Sequence, residues 1–393
     1  MARTRAEPAG RARSRRRARW LVVPFLISGI LHAVPWWRLV LTPSWPAGAT
    51  VAAGAVAAVL AVGLPVLLVS GRRRGTGALA AAGPVWLGVV WQLFVWTLAG
   101  ELLRLVLAVT GVPDPLWARA TALAVLGWTA ALLAWGAYRA LGPVPVRERA
   151  VHVEGLGPAL DGLRVVQVTD THLGPFLSRR WTTRIVEQLD GLRADVLVHT
   201  GDLVDGSLAD RRHQVEPFGA ATARDARLFI TGNHEYYSGA AEWTGYMESL
   251  GWTVLRNRHV VVRRGTDELV VAGIDDRTAA TSGVPGHGAD LDAALAGAPE
   301  GAPVVLLAHQ PRQVFGAVDR VDLQLSGHTH GGQLWPFGYL VRLDQPTLAG
   351  LSRHGPRTQL YTSRGTGFWG PPFRIFAPPE IAVLTLRRAR PGA

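Results

Sequence analysis

The chain has 393 residues, 48% of them hydrophobic and only 18% charged, and its net charge of +12 is carried entirely by arginine. An average soluble domain has roughly 25% charged residues, so neither a disordered chain nor a coiled coil is expected as the main state. Cysteine is absent, which excludes disulfides and any cysteine-ligated zinc or iron–sulfur centre and leaves His, Asp, Glu and Asn to hold a metal.

The charge divides the chain. Residues 1–150 hold 17 Arg against four acids, Glu7, Glu101, Asp114 and Glu148, whereas residues 151–393 hold 24 Arg and 25 acids. A basic protein often binds nucleic acid, but here the excess lies in the most apolar segment. A lipid bilayer is therefore the expected partner and nucleic acid is not; no protein partner is evident. Residues 1–19 read as a basic cytoplasmic tail that also suits anionic headgroups. Four apolar runs follow within 20–139, near Trp20–Trp37, Thr50–Val69, Leu79–Leu98 and Trp117–Tyr138. Each approaches the ~20 residues that cross a bilayer core. Ten of the 15 Trp fall in the first 150 residues, several at run edges (Trp20, Trp36, Trp37, Trp45, Trp117, Trp135), as an interfacial belt requires.

With four spans, 14 Arg lie on one side, in the tail, at Arg72–Arg74 and at Arg139, Arg147 and Arg149. Arg38, Arg104 and Arg119 lie on the other. The positive-inside rule then predicts a multi-pass protein of the cell membrane with both termini in the cytoplasm. Glu101 and Arg104, three apart on one helix face, read as an interfacial pair. His32, inside the first run, has no partner legible in the sequence.

A Pro-rich linker occupies 140–150. From 151 to 388 short β-branched runs alternate with polar helical patterns, and 389–393 form a tail. Leu163–Val168, Val196–His199, Leu228–Thr231, Glu268–Ile274, Val304–Ala308 and Leu323–Leu325 read as buried strands. Trp181–Leu192, Ala241–Leu250 and Ala289–Ala296 read as helices. Such alternation predicts an α/β domain.

In α/β sheets ligands gather where strands end, and there this sequence puts its acids and histidines. The first strand runs into Thr169-Asp170-Thr171-His172, and the second into Gly201-Asp202-Leu203-Val204-Asp205. The third runs into Gly232-Asn233-His234-Glu235. Later strands end at His309 and at Gly327-His328-Thr329-His330-Gly331-Gly332. Singly, each cluster reads as a cap or a turn; five in succession point to one site. Asp170, His172, Asp202, Asn233, His309, His328 and His330 supply oxygen and imidazole donors suited to two divalent ions of Mn, Fe, Zn or Co rather than Ca. Two such ions clamp a phosphoryl group and turn bound water into hydroxide near neutral pH. His234 is placed to protonate the leaving group, with Asp205 to orient its imidazole.

These motifs, D-x-H, GD-x-x-D, GNH-E, an isolated His and GH-x-H in this order, resemble the calcineurin-like metallophosphoesterases over roughly Leu163–Leu386. The resemblance implies a four-layer α/β/β/α sandwich behind the bundle of about four transmembrane helices. It implies a first metal held by Asp170, His172, Asp202 and His330, with Asp202 bridging to a second held by Asn233, His309 and His328. The acid would be His234, paired with Asp205. The stretches Gly232–Gly239, Gly327–Gln333 and Ser363–Pro372 are similar to a membrane-associated bacterial branch that includes YkuE-like and UDP-2,3-diacylglucosamine-pyrophosphatase-like proteins.

The expected function is thus a membrane-anchored dimetal phosphoesterase, with manganese among the candidate ions, that cleaves a phosphodiester or pyrophosphate bond by attack of metal-bound hydroxide, a lipid-linked substrate being one candidate. The alternative is a membrane sensor or transporter whose phosphoesterase domain binds a phosphorylated ligand without turnover. In Gly365–Pro372, Phe368 and Trp369 read equally as a loop at the site mouth, with Arg364 near substrate phosphate, or as a turn filling the core. Asp275-Asp276 reads as a turn or supporting pair rather than a ligand.

Overall fold

The computed structural model describes residues 9–74, 77–109 and 116–389; residues 1–8 of the basic tail, Asp114 and residues 390–393 lie outside them. Two compact units divide the chain, one ending at Leu133 and one beginning at Ala134.

In the first unit four long helices form where the sequence has its four apolar runs: α1 (Ala9–Pro35), α2 (Ala47–Arg74), α3 (Ala78–Ala108) and α4 (Leu116–Leu141), the last of which ends in the second unit. Val22–Leu41, Ala47–Gly71, Ala78–Ala108 and Leu116–Leu141 are each long and apolar enough to cross a membrane. Helix α1 begins inside the stretch expected as a tail, and Arg72–Arg74, expected in a loop, close the last turn of α2; arginine is a good helix former, so neither run breaks the helix beside it. An added Cβ on Gly83 would lie 3.1 Å from the backbone of Leu67 and Leu68. Glycine is what lets α3 approach α2 so closely. Leu31, Leu64 and Val90 bury together at the centre.

Two polar residues of this unit find partners that the sequence left open. His32 accepts from Trp86 Nε1 at 2.8 Å through Nε2 and meets Ser28 O at 2.7 Å through Nδ1. Glu101 pairs with Arg104, its expected partner, at 3.9 Å and more closely with Arg38 at 2.8 Å. Arg38 reaches it from a π-helical turn over Trp36–Leu41.

Among the described residues the second unit carries twelve strands: β1 (Val146–Val153), β2 (Arg164–Val168), β3 (Val196–His199), β4 (Ala226–Phe229), β5 (Thr253–Val254) and β6 (Arg258–Arg264), then β7 (Asp267–Gly273), β8 (Val304–Leu307), β9 (Leu323–Ser326), β10 (Gly350–His354), β11 (Thr358–Thr362) and β12 (Ile381–Arg388). They form two six-stranded sheets, ordered β1-β12-β2-β3-β4-β5 and β10-β11-β9-β8-β7-β6. The end of the stretch read as a linker is strand: β1 runs parallel to β12 from Val146↔Ile381 to Val153↔Arg388. Pairing starts only past Pro143 and Pro145, which have no backbone N–H to donate.

Alternate side chains build the layers. Val165, Val198 and Leu228 of the first sheet bury against Leu269, Val271, Val305 and Leu325 of the second. On the outer face of the first sheet Val166, Val168 and Leu197 pack under helices α5 (Arg179–Gly191), α6 (Leu208–Val215) and, beyond the short α7 (Asn233–Ser238), α8 (Ala240–Ser249). Val270, Ala272 and Leu306 cover the outer face of the second sheet beside Ala294. That is the α/β/β/α order the sequence implied. Ser178 caps α5 by accepting from Trp181 N. The helix expected over Ala289–Ala296 is a single turn, Leu291–Leu295, capped by Asp290.

Candidate metal centre

Strands β2, β3 and β4 are mutually parallel, as are β8 and β9. Their C-terminal ends therefore share one edge, and every candidate ligand lies in the loops leaving it. Asp170, His172 and His330 present atoms within 4.8 Å of one another, and so do Asp202, His309 and His328. Asp202 of the second group also approaches the first: its Oδ2 lies 3.1 Å from His309 Nε2 and 3.5 Å from His172 Nε2. His172 and His330 face each other Nε2 to Nε2 at 3.0 Å. Asn233, the first residue of α7, is buried, with its Oδ1 unpaired. Buried polar atoms are ordinarily bonded. An orphan oxygen of this kind beside carboxylates and imidazoles fits a divalent cation.

The loops are held in costly conformations. Asp170, His172, Asp202, His328 and His330 all have left-handed backbones, with φ between 42° and 69°. Each costs about 1–3 kcal/mol, which the surrounding fold must offset. Two glycines of the motifs have a steric reason. A Cβ on Gly327 would lie 2.1 Å from Asp170 Oδ2, and one on Gly232 would lie 2.2 Å from Asp202 Oδ1.

Asp205 serves two histidines. Its Oδ1 lies 2.6 Å from His234 Nδ1 and 3.1 Å from His172 Nδ1, so it orients a candidate ligand as well as the candidate acid. Glu235, to which the sequence assigned no role, accepts from the backbone N–H groups of Asp202, Leu203 and Gly232 at 2.9, 2.8 and 2.6 Å. It clamps the β3 loop to the β4 loop. Arg374, fully buried, donates to His330 O at 2.7 Å and lies 3.2 Å from His330 Nδ1. No motif marks Arg374, and only its position in the fold could have found it.

Charge follows from burial. For Asp202, burial pushes the carboxyl up, but His309 and His234 outweigh it and hold the group well below its ordinary range. Asp205 is lowered likewise against burial by His172 and His234. Burial raises Asp170, and raises Glu235 to about 7 with help from Asp202. His328 is pushed down to about 3 by burial and His309; His330 falls well below its ordinary value through burial and Arg374. Neutral imidazoles are what a metal requires. His234 goes the other way, to about 9, because Asp202 and Asp205 outweigh its burial, and in the absence of metal His309 is likewise raised by Asp202.

Among the remaining sequence-derived residues, Asp275 pairs with Arg256 and Asp276 accepts from Gln310, so both support the structure as buried carboxylates. The two readings of Phe368-Trp369 divide between the residues. Phe368 is buried in the core beside Phe176, whereas Trp369 is 40% exposed with its ring 6.2 Å from His234. Arg364 is paired with Glu380 at 2.8 Å, which compensates the charge expected near substrate.

Two stacked sheets with an Asp/His/Asn cluster where their strands end define the dimetal phosphoesterase class. A profile described as calcineurin-like phosphoesterase matches residues 163–332. Over 278 residues the chain is 40% identical to a transmembrane protein with metallophosphoesterase domain of Danio rerio, covering 69% of this chain and 63% of that one, a little under two thirds of the relative. It is 35% identical over 266 residues to an uncharacterized metallophosphoesterase of Helicobacter pylori (66% and 70% covered), and 30% identical over 271 residues to the uncharacterized metallophosphoesterase YkuE of Bacillus subtilis (65% and 92%). The chain belongs to the calcineurin-like metallophosphoesterase family, whose members use a dinuclear divalent metal centre.

Proposed function

We propose that this chain is a membrane-tethered hydrolase that cleaves a phosphodiester or pyrophosphate bond. The observation that carries the reading is the convergence of two three-residue ligand groups on Asp202, with His234 beside them. In this reading Asp170, His172, Asp202 and His330 hold one ion and Asp202, Asn233, His309 and His328 the other. Manganese is among the ions such mixed donors suit. Bound ions supply a clamp on the phosphoryl oxygens and a more acidic water.

The chain's own residues do the rest. Asp202 Oδ1 accepts from the backbone N–H of His234 at 2.8 Å, tying the acid's position to the ligand's. Asp205 occupies the Nδ1 side of His234, leaving Nε2 to deliver a proton to the departing oxygen. The raised value of His234 means that it carries that proton at neutral pH. Positive charge brought into the cluster works against it, toward the near-neutral range where a general acid is most effective.

A lipid-linked substrate fits this reading because the candidate spans keep the site near a bilayer. The arginine asymmetry supports a cytoplasmic catalytic domain. Thr266, an exposed residue in a chain without cysteine, tests that side. In cells expressing Thr266→Cys, an impermeant maleimide should label the chain only after lysis; labelling of intact cells would invert the orientation.

The function itself is tested with the full chain in detergent, chelated and then reloaded with Mn²⁺, on bis(p-nitrophenyl) phosphate. Turnover should vanish with chelation and return with the ion. A chain that binds the ion but turns over no diester or pyrophosphate is a binding protein, and the hydrolase reading fails.

A further inference from the structure

The segment after the GH-x-H motif is exposed and apolar. Tyr339 is 68% exposed, Leu340 51% and Leu343 82%, and Trp335, Phe337 and Phe376 each show more than a third of their surface. Scattered apolar residues on a surface are ordinary. A group of them gathered over one short helical turn, Gly338–Val341, and its flanks marks an interaction surface.

Its neighbours indicate what covers it. The Phe376 ring lies 6.3 Å from Trp335 and 5.7 Å from Trp135. Trp135 belongs to the last two turns of α4, a helix long and apolar enough to cross a membrane. The segment that carries Phe376 is tied to that helix by Arg374 N donating to Gly136 O at 2.9 Å, and a Cβ on Gly136 would lie 2.9 Å from Ile375; Ile375 N and O in turn bond Gln333 O and Trp335 N at the start of the exposed segment. The patch is thus continuous with the end of a candidate span. On its other side the loop is tied to the site: Gln333 donates to Trp369 O at 2.8 Å and accepts from Trp369 N at 2.9 Å. Trp369 and the exposed Tyr237 flank His234, with ring centroids 6.2 and 5.4 Å away. Aromatic contacts, joined through Gln333, therefore lead from the end of α4 to His234. Trp and Tyr with aliphatic neighbours match the composition that settles at a membrane interface. Arg342, exposed between Leu340 and Leu343, suits a phosphate headgroup.

We propose that residues 335–343, with Phe376, seat in the headgroup–acyl boundary of the bilayer, so that the catalytic unit lies against lipid and its site opens at headgroup level. The occupant is a phospholipid surface. The placement does not depend on turnover, and its test reads no activity.

The full chain, carrying a single cysteine at Tyr339→Cys, Leu343→Cys or Thr266→Cys, is labelled with an environment-sensitive fluorophore. It is reconstituted in nanodiscs of phosphatidylcholine and phosphatidylglycerol. Thr266 precedes β7, which runs parallel to β8, and so lies at the end of the second sheet away from His309. All three residues are exposed, so substitution removes no buried contact. A nitroxide on the upper acyl chain should cost labels at 339 and 343 about half their emission or more, as for an apolar face sunk ~5–10 Å into the boundary, and leave 266 unchanged. Losses at 339 and 343 no greater than at 266 overturn the proposal. So does emission at 339 that ignores the nitroxide but changes when labelled and unlabelled chains are mixed, because the occupant is then a second copy.

Discussion

Asp202→Asn is expected to lower metal-dependent turnover by about 10³-fold or more and to leave the purified chain short of its second equivalent of metal. The reason is position and charge together. Asp202 Oδ2 lies within 3.5 Å of imidazoles from both ligand groups, while Oδ1 accepts from His234 N. Asparagine keeps the shape and an oxygen acceptor but removes the negative charge that two cations would share. His309, raised well above its ordinary value chiefly by Asp202 acting against burial, loses its counter-charge as well. Metal content by plasma emission spectroscopy and steady-state kinetics on one preparation test this directly. Two equivalents of metal with undiminished turnover would remove Asp202 from the centre.

For His234→Gln the loss should depend on what leaves. General acid catalysis contributes typically 10²–10⁴-fold, but only where the departing oxygen needs a proton. An alkyl phosphodiester should slow by about 10²-fold or more, while a p-nitrophenyl diester, whose leaving group departs as a stable anion, should change little. Asp205→Asn should share this selectivity and also weaken metal binding, because Asp205 holds His172 as well as His234. Equal losses on both substrates for His234→Gln would mean that the histidine positions the phosphoryl group rather than protonating the leaving oxygen.

The candidate ligand set was legible because of how parallel strands are built. A strand buried on both faces is a nearly unbroken apolar run, as in Val304–Leu307 and, with Gln167 the one interruption, Val165–Val168. The first acid or histidine after such a run therefore stands out, and it stands at the edge where ligands collect. The four membrane-type helices were legible for a similar reason, being long apolar stretches whose period needs no partner to be recognised. What failed to show were residues whose meaning is a distant contact. Glu235 matters because its carboxylate meets Asp202 N and Leu203 N from another strand's loop, and Arg374 because it lies under His330, 44 residues away in sequence. His32 lacked a partner on paper because Trp86 is 54 residues further along.

Strand β1 illustrates the same limit at the level of fold. Its exposed Arg-Glu-Arg-Ala stretch reads as linker, and it becomes a strand only because β12, more than 200 residues later, offers a parallel edge. Local pattern, set by burial and backbone chemistry along a few residues, by itself determined the helices, most central strands and the candidate ligands of this protein. Tertiary structure alone decided which carboxylate lies within 3.5 Å of imidazoles from both candidate groups, which imidazoles neighbouring carboxylates raise, and which aromatic rings stay in the open beside the end of α4. Those outcomes depend on distances between segments far apart in the chain, where dehydration and neighbouring charge set the energy.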